Sequence, residues 1–444
     1  MLYTGRTMKN TPTPNIEARF RAYAKKLSTA LGHADRVEPF HAYCTGLLLP
    51  VERKSVEPMA AQLAPGHVSA KHQSLHHFVA KAAWSDDAVL AAVRSYALPN
   101  MQSEGPILAW IVDDTGFPKK GKHSVGVARQ YCGQLGKQDN CQVAVSVSIA
   151  TARASLPVAY RLYLPEQWLE NSEFRSRAGI PDKLSFQTKS QIALDQLRAL
   201  AQSDIPRAVV LADAGYGNET EFREGIRNLE LSYVLGIQKK TNVWASGTGP
   251  LGPPEYSGQG RPPKLPRRSP NHTPVSVLEL ARSLPDSSYQ TIVWREGTNK
   301  TLSSRFALVR VREAHRYYWR SDTPAEEWLL IEWPQDEPEP TKYWLSNLAA
   351  QISPQDLVYT AKLRWRIERD YQELKQEIGL GHFEGRGWRG FHHHATLCIA
   401  AYGFVVAERS SFPPSAPDFR APFTVPQVPE GWRPRGSPIE ARAT

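Results

Sequence analysis

Three acidic positions in this chain stand where carboxylates could do chemistry: the pair Asp113-Asp114 in AWIVDDTGFPKKGK, Asp213 in VVLADAGYG, and Glu368 in WRIERDYQELKQEIG. Their oxygens are hard donors of the kind that suit Mg2+, an ion held by few protein ligands. Asp113 and Asp114 end a short apolar run at a Gly/Lys-rich loop; two acids opening a turn would look the same. Asp213 follows an apolar run into a Gly-rich turn, the place where ligands of α/β sheets bind. Its Gly-x-Gly lacks the remainder of a dinucleotide pattern, which sets a phosphate cradle aside. Glu368 and Lys375 lie four and eleven residues after Arg364, so at about 100° per residue the three share a narrow stripe of one helix. An intrahelical ion-pair ladder, about 0.2–0.5 kcal/mol per pair, is the alternative for that stripe taken alone.

The elements that must carry these residues surround them. Residues 107–113 read as a strand. Residues 142–151 alternate, with Val143, Val145, Val147 and Ile149 on one face and Ala144, Ser146 and Ser148 on the other. Val158, Tyr160 and Leu162 continue the alternation on a further strand. A helix over 190–201, a buried strand over 208–212, a short helix over 218–228 and a strand over 232–237 follow. Three strands in antiparallel meander, helix, strand, helix, strand is the element order of an RNase H-like fold that still lacks its last helix. That helix is predicted from Ser353 as N-cap, through Pro354 and the capping-box acid Asp356, to Gly379 as its stop. Leu357, Ala361, Ile367, Tyr371, Leu374 and Ile378 form its core face. Between lie residues 239–343, a β-rich insertion with eight prolines in 250–274 and aromatic strands over 289–294, 306–311, 328–333 and 343–345.

Residues 1–100 read as helical at 16–31, 42–49, 56–63, 69–83 and 86–96. Ala64-Pro65-Gly66 would suit a helix-turn-helix and equally a tight turn in a plain bundle. Residues 344–410 hold the final helices, and 411–444, with eight prolines, predict a disordered tail. The whole chain has 444 residues, 41% hydrophobic and 22% charged, which excludes a fibrous or mostly disordered protein. Its longest apolar run, 397–406, is too short to span a bilayer. The N-terminus lacks a signal-peptide core and cysteines number four, so a cytoplasmic, nucleoid-associated protein with no membrane partner is expected. The net charge of +10 is unevenly spread: residues 239–320 hold 14 Lys+Arg against 5 Asp+Glu, and 321–340 hold seven acids and no base. Such a concentration points to nucleic acid, or else to a patchy solvated surface.

Together, in this order and context, the three motifs resemble the DDE transposases of bacterial insertion sequences. Arg364-x3-Glu368-x6-Lys375 is similar to the YREK signature of the insertion-sequence-four-like superfamily. DDTGFPKKGKHSVGVARQYCGQLGKQDNCQ and WRIERDYQELKQEIGLGHFEGRGWRGFHHH resemble its seven-oh-one group more closely still. The likeness runs from about residue 47 to 406. It departs at Ala361, where the signature has Tyr; Tyr359 is the nearby tyrosine.

The resemblance implies an α/β, RNase H-like catalytic core interrupted by the β-rich insertion, with a helical N-terminal domain that binds element ends. It implies strand cleavage at those ends and strand transfer into target DNA. The catalytic residues would be Asp113 or Asp114, Asp213 and Glu368, and the metal ligands Asp113, Asp213 and Glu368; Thr115 fits the family's Asp-x-Thr pattern and favours Asp113. Two Mg2+ ions, with Mn2+ as substitute, about 3.5–4 Å apart would activate the nucleophile and stabilise the leaving oxygen. Arg364 and Lys375 would contact phosphate without reading sequence. The implied partners are double-stranded DNA (terminal inverted repeats and target) and a second copy of the chain on DNA. Rival functions are a metal-dependent nuclease without strand transfer and a non-catalytic DNA-binding derivative.

Four other groups stand apart. Lys119, Lys120 and Lys122 either grip phosphate or are a solvated loop. Arg386 and Arg389 are DNA-contact candidates beside Trp388 and the run His392-His393-His394, whose adjacency lacks zinc-site spacing. Cys132 and Cys141 lack a second close pair, and Cys44 and Cys398 look like core residues. Trp319, Trp328, Trp333 and Trp344 fall in or beside the insertion, where related transposases stack a flipped base; core packing is expected for most of them.

Overall fold

The structure, a computed structural model, describes residues 15–264, 269, 271–296, 301–314 and 325–412. Five helices come first: α1 (Ile16–Ser28), α2 (Val37–Leu48), α3 (Val56–Leu63), α4 (Val68–Ala80) and α5 (Asp86–Ser103). Next are β1 (Ala109–Pro118), β2 (Ala128–Cys132), β3 (Lys137–Ala150), β4 (Ser155–Leu162), α6 (Gln167–Glu170), α7 (Ser172–Ala178) and α8 (Lys189–Ala201). Then follow β5 (Val209–Ala212), α9 (Ala214–Gly217), α10 (Thr220–Asn228), β6 (Tyr233–Ile237), β7 (Asn242–Ala245), β8 (Val275–Ser276) and α11 (Val277–Ser283). The chain continues through β9 (Gln290–Glu296), β10 (Thr301–Glu313), β11 (Glu326–Trp333) and β12 (Lys342–Ser346). It ends in α12 (Pro354–Lys362), α13 (Trp365–Glu373), a π-helical turn (Leu374–Ile378) and α14 (Trp388–Ser411). No helix of the described residues is long and apolar enough to cross a membrane.

The chain divides into two compact units, one of residues 1–100 with 373–444 and one of 101–372, so residues 344–410 are shared between them. In the first unit α14 is buried almost all round, because no charged residue occurs from Gly390 to Ala407 and every face must be covered. Tyr23 donates to the Ala400 carbonyl at 2.7 Å and Tyr43 bonds His394 at 2.9 Å.

Among the described residues the second unit is built on a mixed sheet of twelve strands, ordered β2-β3-β1-β5-β6-β12-β11-β10-β7-β8, with β4 added to β3 and β9 to β10. β1 runs antiparallel to β3 and parallel to β5, and β5 is parallel to β6. The strands after residue 239 continue this same sheet, because β12 pairs antiparallel with β6 and carries β11 and β10 beyond it.

Strand periodicity decides what faces the long helices. Ala109 and Ile111 join Leu211, Val234, Leu357, Val358, Ala361, Ile367 and Tyr371 in one core cluster. Odd positions of β1 therefore face α12 and α13, and even positions face away. Both faces of β3 are buried: Ser146, Ser148 and Val145 all have no exposed surface. The small side is a seat for α13, where Ser148 and Ser155 donate to the buried Asp370 at 3.0 and 2.6 Å and Ser146 bonds Tyr371 at 2.8 Å.

The predicted helix over 353–378 starts and stops as expected. Ser353 Oγ accepts from the Asp356 amide at 3.0 Å, Pro354 opens the first turn, and Gly379 at φ 86° closes the last. Its interior differs from the single continuous helix that the spacing predicts. At Leu363–Arg364 the backbone tightens, Arg366 and Ile367 bonding three residues back at 3.1 and 3.2 Å, and Leu374–Ile378 widens into a π turn. The stripe of Arg364, Glu368 and Lys375 assumed one uninterrupted helix; the π turn changes the phase before Lys375. No Pro or Gly lies between Leu357 and Ile378, so neither residue type accounts for the break.

Candidate acidic active site

Ile111 of β1 stands opposite Leu211 of β5 in parallel register. Asp113 and Asp213 each lie two residues further on, so two adjacent strands deliver their carboxylates at one level on the α13 face. Asp213, still extended at φ −80°, ψ −176°, caps α9 by accepting the Gly215 amide at 2.9 Å. In the tight turn just before α13, Arg364 Nη1 donates to Asp113 Oδ2 at 3.0 Å while its Nη2 donates to Glu368 of α13. The Asp113 side chain is 16% exposed and that of Glu368 60%. One acid is thus enclosed and another stands at the opening.

Burial pushes the Asp113 carboxyl up to about 7; Arg364 opposes this, and Asp213 and Asp114 add to it. Burial works against the Arg364 cation, but Asp113, Glu368 and Asp213 outweigh it, and its pKa is raised. The guanidinium is the shared counterion of three carboxylates.

Asp114 points the other way, as alternation requires. Lys189 of α8 donates to it at 2.8 Å and the Tyr216 hydroxyl at 3.4 Å. The neighbouring acids, indistinguishable by composition, are separated by the two faces of β1.

The Gly-rich turn after Asp213 serves close packing. A Cβ on Gly217 would lie 2.0 Å from the Gly236 carbonyl oxygen of β6, and a Cβ on Gly236 would lie 3.0 Å from the Ala214 amide nitrogen. The two glycines let the start of α9 lie directly on the sheet.

Three carboxylates fit a hard divalent cation in donor chemistry, and the Asp113 carboxyl, raised first by burial and further by Asp213 and Asp114, is one whose charge a bound cation would favour. Among the described residues no three His, Cys, Asp or Glu side chains converge closely enough to hold an ion as they stand. Arg364 spans the interval between Asp113 and Glu368.

The remaining candidates are placed as follows. Lys120 and Lys122 are exposed and Lys119 is half-buried, in a loop that Asn140 fastens by donating to the Lys119 and Gly121 carbonyls at 2.5 and 3.0 Å. Lys375 lies on the π turn, and Arg386 and Arg389 are exposed in the helical unit, Arg389 donating to the Lys81 carbonyl. His393 stacks on Trp84 with ring centroids 3.6 Å apart, its two nitrogens facing the Val79 and Trp84 carbonyls. His392 lies against Trp388, and His394 bonds Tyr43 and faces the Gly379 carbonyl. All four cysteines are buried. Trp344 is buried, while Trp328 and Trp333 donate to the Ala349 and Glu337 carbonyls. Trp319, Arg267 and Arg268, and the tail from residue 413, lie outside the described residues.

Part of the basic excess is met by the acidic stretch behind it. Lys239 and Arg282 both bind Glu339, and Arg312 lies 3.6 Å from Glu326. Arg261 and Lys264 are exposed.

Sequence reasoning missed Lys189, Asp370 and Glu332. Asp370 had a signal: it lies three residues after Ile367 on the core face, where an acid must find partners. Nothing local marks Lys189.

In this α/β protein Asp113 and Glu368 share the Arg364 guanidinium, and Asp213 stands level with Asp113 on the neighbouring strand. Residues 26–301 match the family model of the DDE superfamily endonucleases, and the chain belongs to that family. The match contains Asp113, Asp114 and Asp213 and ends before Glu368. A protein named "Probable transposase for insertion sequence element IS701", from Microchaete diplosiphon, is 25% identical over 347 residues, covering 78% of this chain and 76% of that protein.

Proposed function

We propose that this protein is a transposase that cleaves DNA strands at the ends of an insertion sequence and joins them to target DNA. The observation that carries the reading is the register of β1 on β5, which levels Asp113 with Asp213 on the face where α13 presents Glu368. The strand order β4-β3-β1-β5-β6 with α8, α10 and α13 supports an RNase H-like core, extended by the strands of 239–343 as an insertion. Its final helix is interrupted at Arg364.

In this reading Asp113, Asp213 and Glu368 hold Mg2+, two ions in the working complex, and Mn2+ substitutes. The ions supply Lewis acidity for in-line displacement at phosphorus. The chain's own residues do the rest. Arg364 leaves its carboxylates for a phosphate oxygen when DNA enters, exchanging one anionic partner for another. Lys375, Arg386, Arg389 and the Lys119, Lys120 and Lys122 loop contact backbone phosphate and set register without reading bases. Lys189 keeps Asp114 turned away, which leaves Asp113 as the ligand. Residues 1–100 recognise the terminal repeats, and two copies pair the two ends.

Glu368→Gln is expected to leave DNA affinity within about threefold, since the loss is of an acid and not of a phosphate-binding group. Strand cleavage should fall by about 10²–10³-fold or more, the scale for losing one electrostatic anchor of a transition state. Nicking of the gene's flanking ends with Mg2+ measures this, and undiminished nicking by the variant rejects the site. Joining of pre-cleaved 3′-ends to a target separates a transposase from a nuclease that only cuts.

The basic segment gives a second test. Replacing Arg261, Lys264, Arg267 and Arg268 by Gln should lower the slope of log affinity against log salt by about 0.9 for each phosphate that the segment no longer neutralises. An unchanged slope assigns these charges to the solvated surface.

A further inference from the structure

Lys362, the last residue of α12, is enclosed in a way that the cleavage chemistry does not account for. Its Nζ donates to both carboxylate oxygens of Glu332 on β11, at 2.6 and 2.7 Å. It lies 4.3 Å from the Trp294 ring centroid, 5.4 Å from that of Phe306 and 5.5 Å from that of Trp344. The two side chains keep only 14% and 6% of their surface in solvent. Lysines on helices ordinarily extend their ammonium to water; this one is turned inward onto a carboxylate walled by aromatic rings of β9, β10 and β12.

Its position explains the broken helix. Residues two apart on a regular helix leave it about 200° apart, on nearly opposite sides. Lys362 reaches Glu332 on β11, and Arg364, two residues on, reaches Asp113 on β1. Those strands are separated in the sheet by β5, β6 and β12. The joint between α12 and α13 is therefore strung between two ion pairs that pull in different directions, and the tight turn at Leu363–Arg364 is where the backbone accommodates both.

We propose that Lys362 is a positioning residue for strand cleavage, its ion pair with Glu332 holding the α12–α13 joint so that α13 presents Glu368 towards Asp113. The inference rests on the proposed reading of the acidic site. It gives the strands after residue 239 a task inside the catalytic unit: three of them furnish the walls and one the carboxylate that seat the catalytic helix. Without that anchor the segment is free to regularise into one helix, which rotates Glu368 about the axis relative to Asp113.

The test is steady-state cleavage of double-stranded DNA carrying the gene's flanking ends, with Mg2+. Lys362→Met, nearly the same length without charge, should lower kcat about tenfold or more with KM for DNA within about twofold, at a temperature where circular dichroism shows it folded. Glu332→Gln should do the same. The double variant should be no slower than the worse single one, because both report one interaction. Lys362→Arg, which keeps the cation, should recover at least about a third of the lost rate. Folded Lys362→Met with kcat within twofold of wild type overturns the proposal, as does a loss confined to KM or losses that multiply in the double variant. Should Lys362→Met not fold because Glu332 is left buried and unpaired, the double variant decides by the same kcat criterion. Undiminished cleavage by Glu368→Gln would instead reject the acidic site itself, so the two failures are told apart.

Discussion

Asp113→Asn is expected to abolish strand cleavage while making the metal-free protein more stable above neutral pH. The loss of activity should match or exceed that of Glu368→Gln, about 10²–10³-fold or more, since Asp113 is far more enclosed than Glu368. The gain in stability follows from linkage. Burial, with Asp213 and Asp114 near, raises the folded carboxyl to about 7 from an ordinary 3.8, a net result that already includes the help of Arg364. The folded state then binds a proton that the unfolded chain has released. Below about pH 4 both states are protonated and the group costs nothing. As pH rises from about 4 to about 7 the penalty grows at up to about 1.4 kcal/mol per pH unit, and above that it is fully present. Asparagine keeps the shape and carries no charge. Thermal melts in EDTA should show the variant and wild type together near pH 4 and the variant higher by several degrees at pH 8. A variant that melts at or below wild type at pH 8 rejects this account. Added Mg2+ should narrow or reverse the gap, because it binds only the folded site with its carboxylates intact.

The parts of this protein that were visible in the sequence are those decided locally. Ser353, Pro354 and Asp356 mark a helix start through bonds within four residues, and Gly379 marks its end through a backbone angle; both are where spacing puts them. The alternation of β3 is likewise a property of the strand. What remained hidden depends on partners distant along the chain. Asp113 and Asp114 differ only in which face of β1 they occupy, and both faces are covered, so hydropathy cannot rank them; Ile367 and Tyr371 on one side and Lys189 on the other make the distinction. The break at Arg364 has no local cause, and it follows from anchors on β1 and β11 that lie 251 and 30 residues away from their partners. The pairing of β12 with β6, which extends one sheet through the region read as an insertion, joins residues more than a hundred positions apart. Net charge misled in the same way, since Glu339 and Glu326 take up cations that composition counts as available for DNA.

Gly217→Ala is the second change expected to be severe, although the residue carries no chemistry. A methyl group there would sit 2.0 Å from the Gly236 carbonyl oxygen and 2.9 Å from Leu235 Cβ. Both belong to β6, a strand held by β5 on one side and β12 on the other, so neither atom can swing aside as the tip of a flexible side chain would. Overpacking of a core ordinarily costs about 1–3 kcal/mol, and a clash between two backbones belongs at or above the top of that range. The cheaper escape is for α9 to lift from the sheet. Asp213 caps that helix through the Gly215 amide, so lifting α9 carries the carboxylate away from Asp113. A displacement of about 1 Å at a reacting centre can cost about 10²-fold in rate. The variant should therefore melt lower and cleave at least about 10²-fold more slowly even at temperatures where it is folded. Gly252→Ala, with nothing within 4 Å of the added methyl group, should behave as wild type in both assays. Full cleavage by folded Gly217→Ala would mean that Asp213 does not depend on the packing of α9 against β6, and the two-strand delivery of the acids would have to be given up.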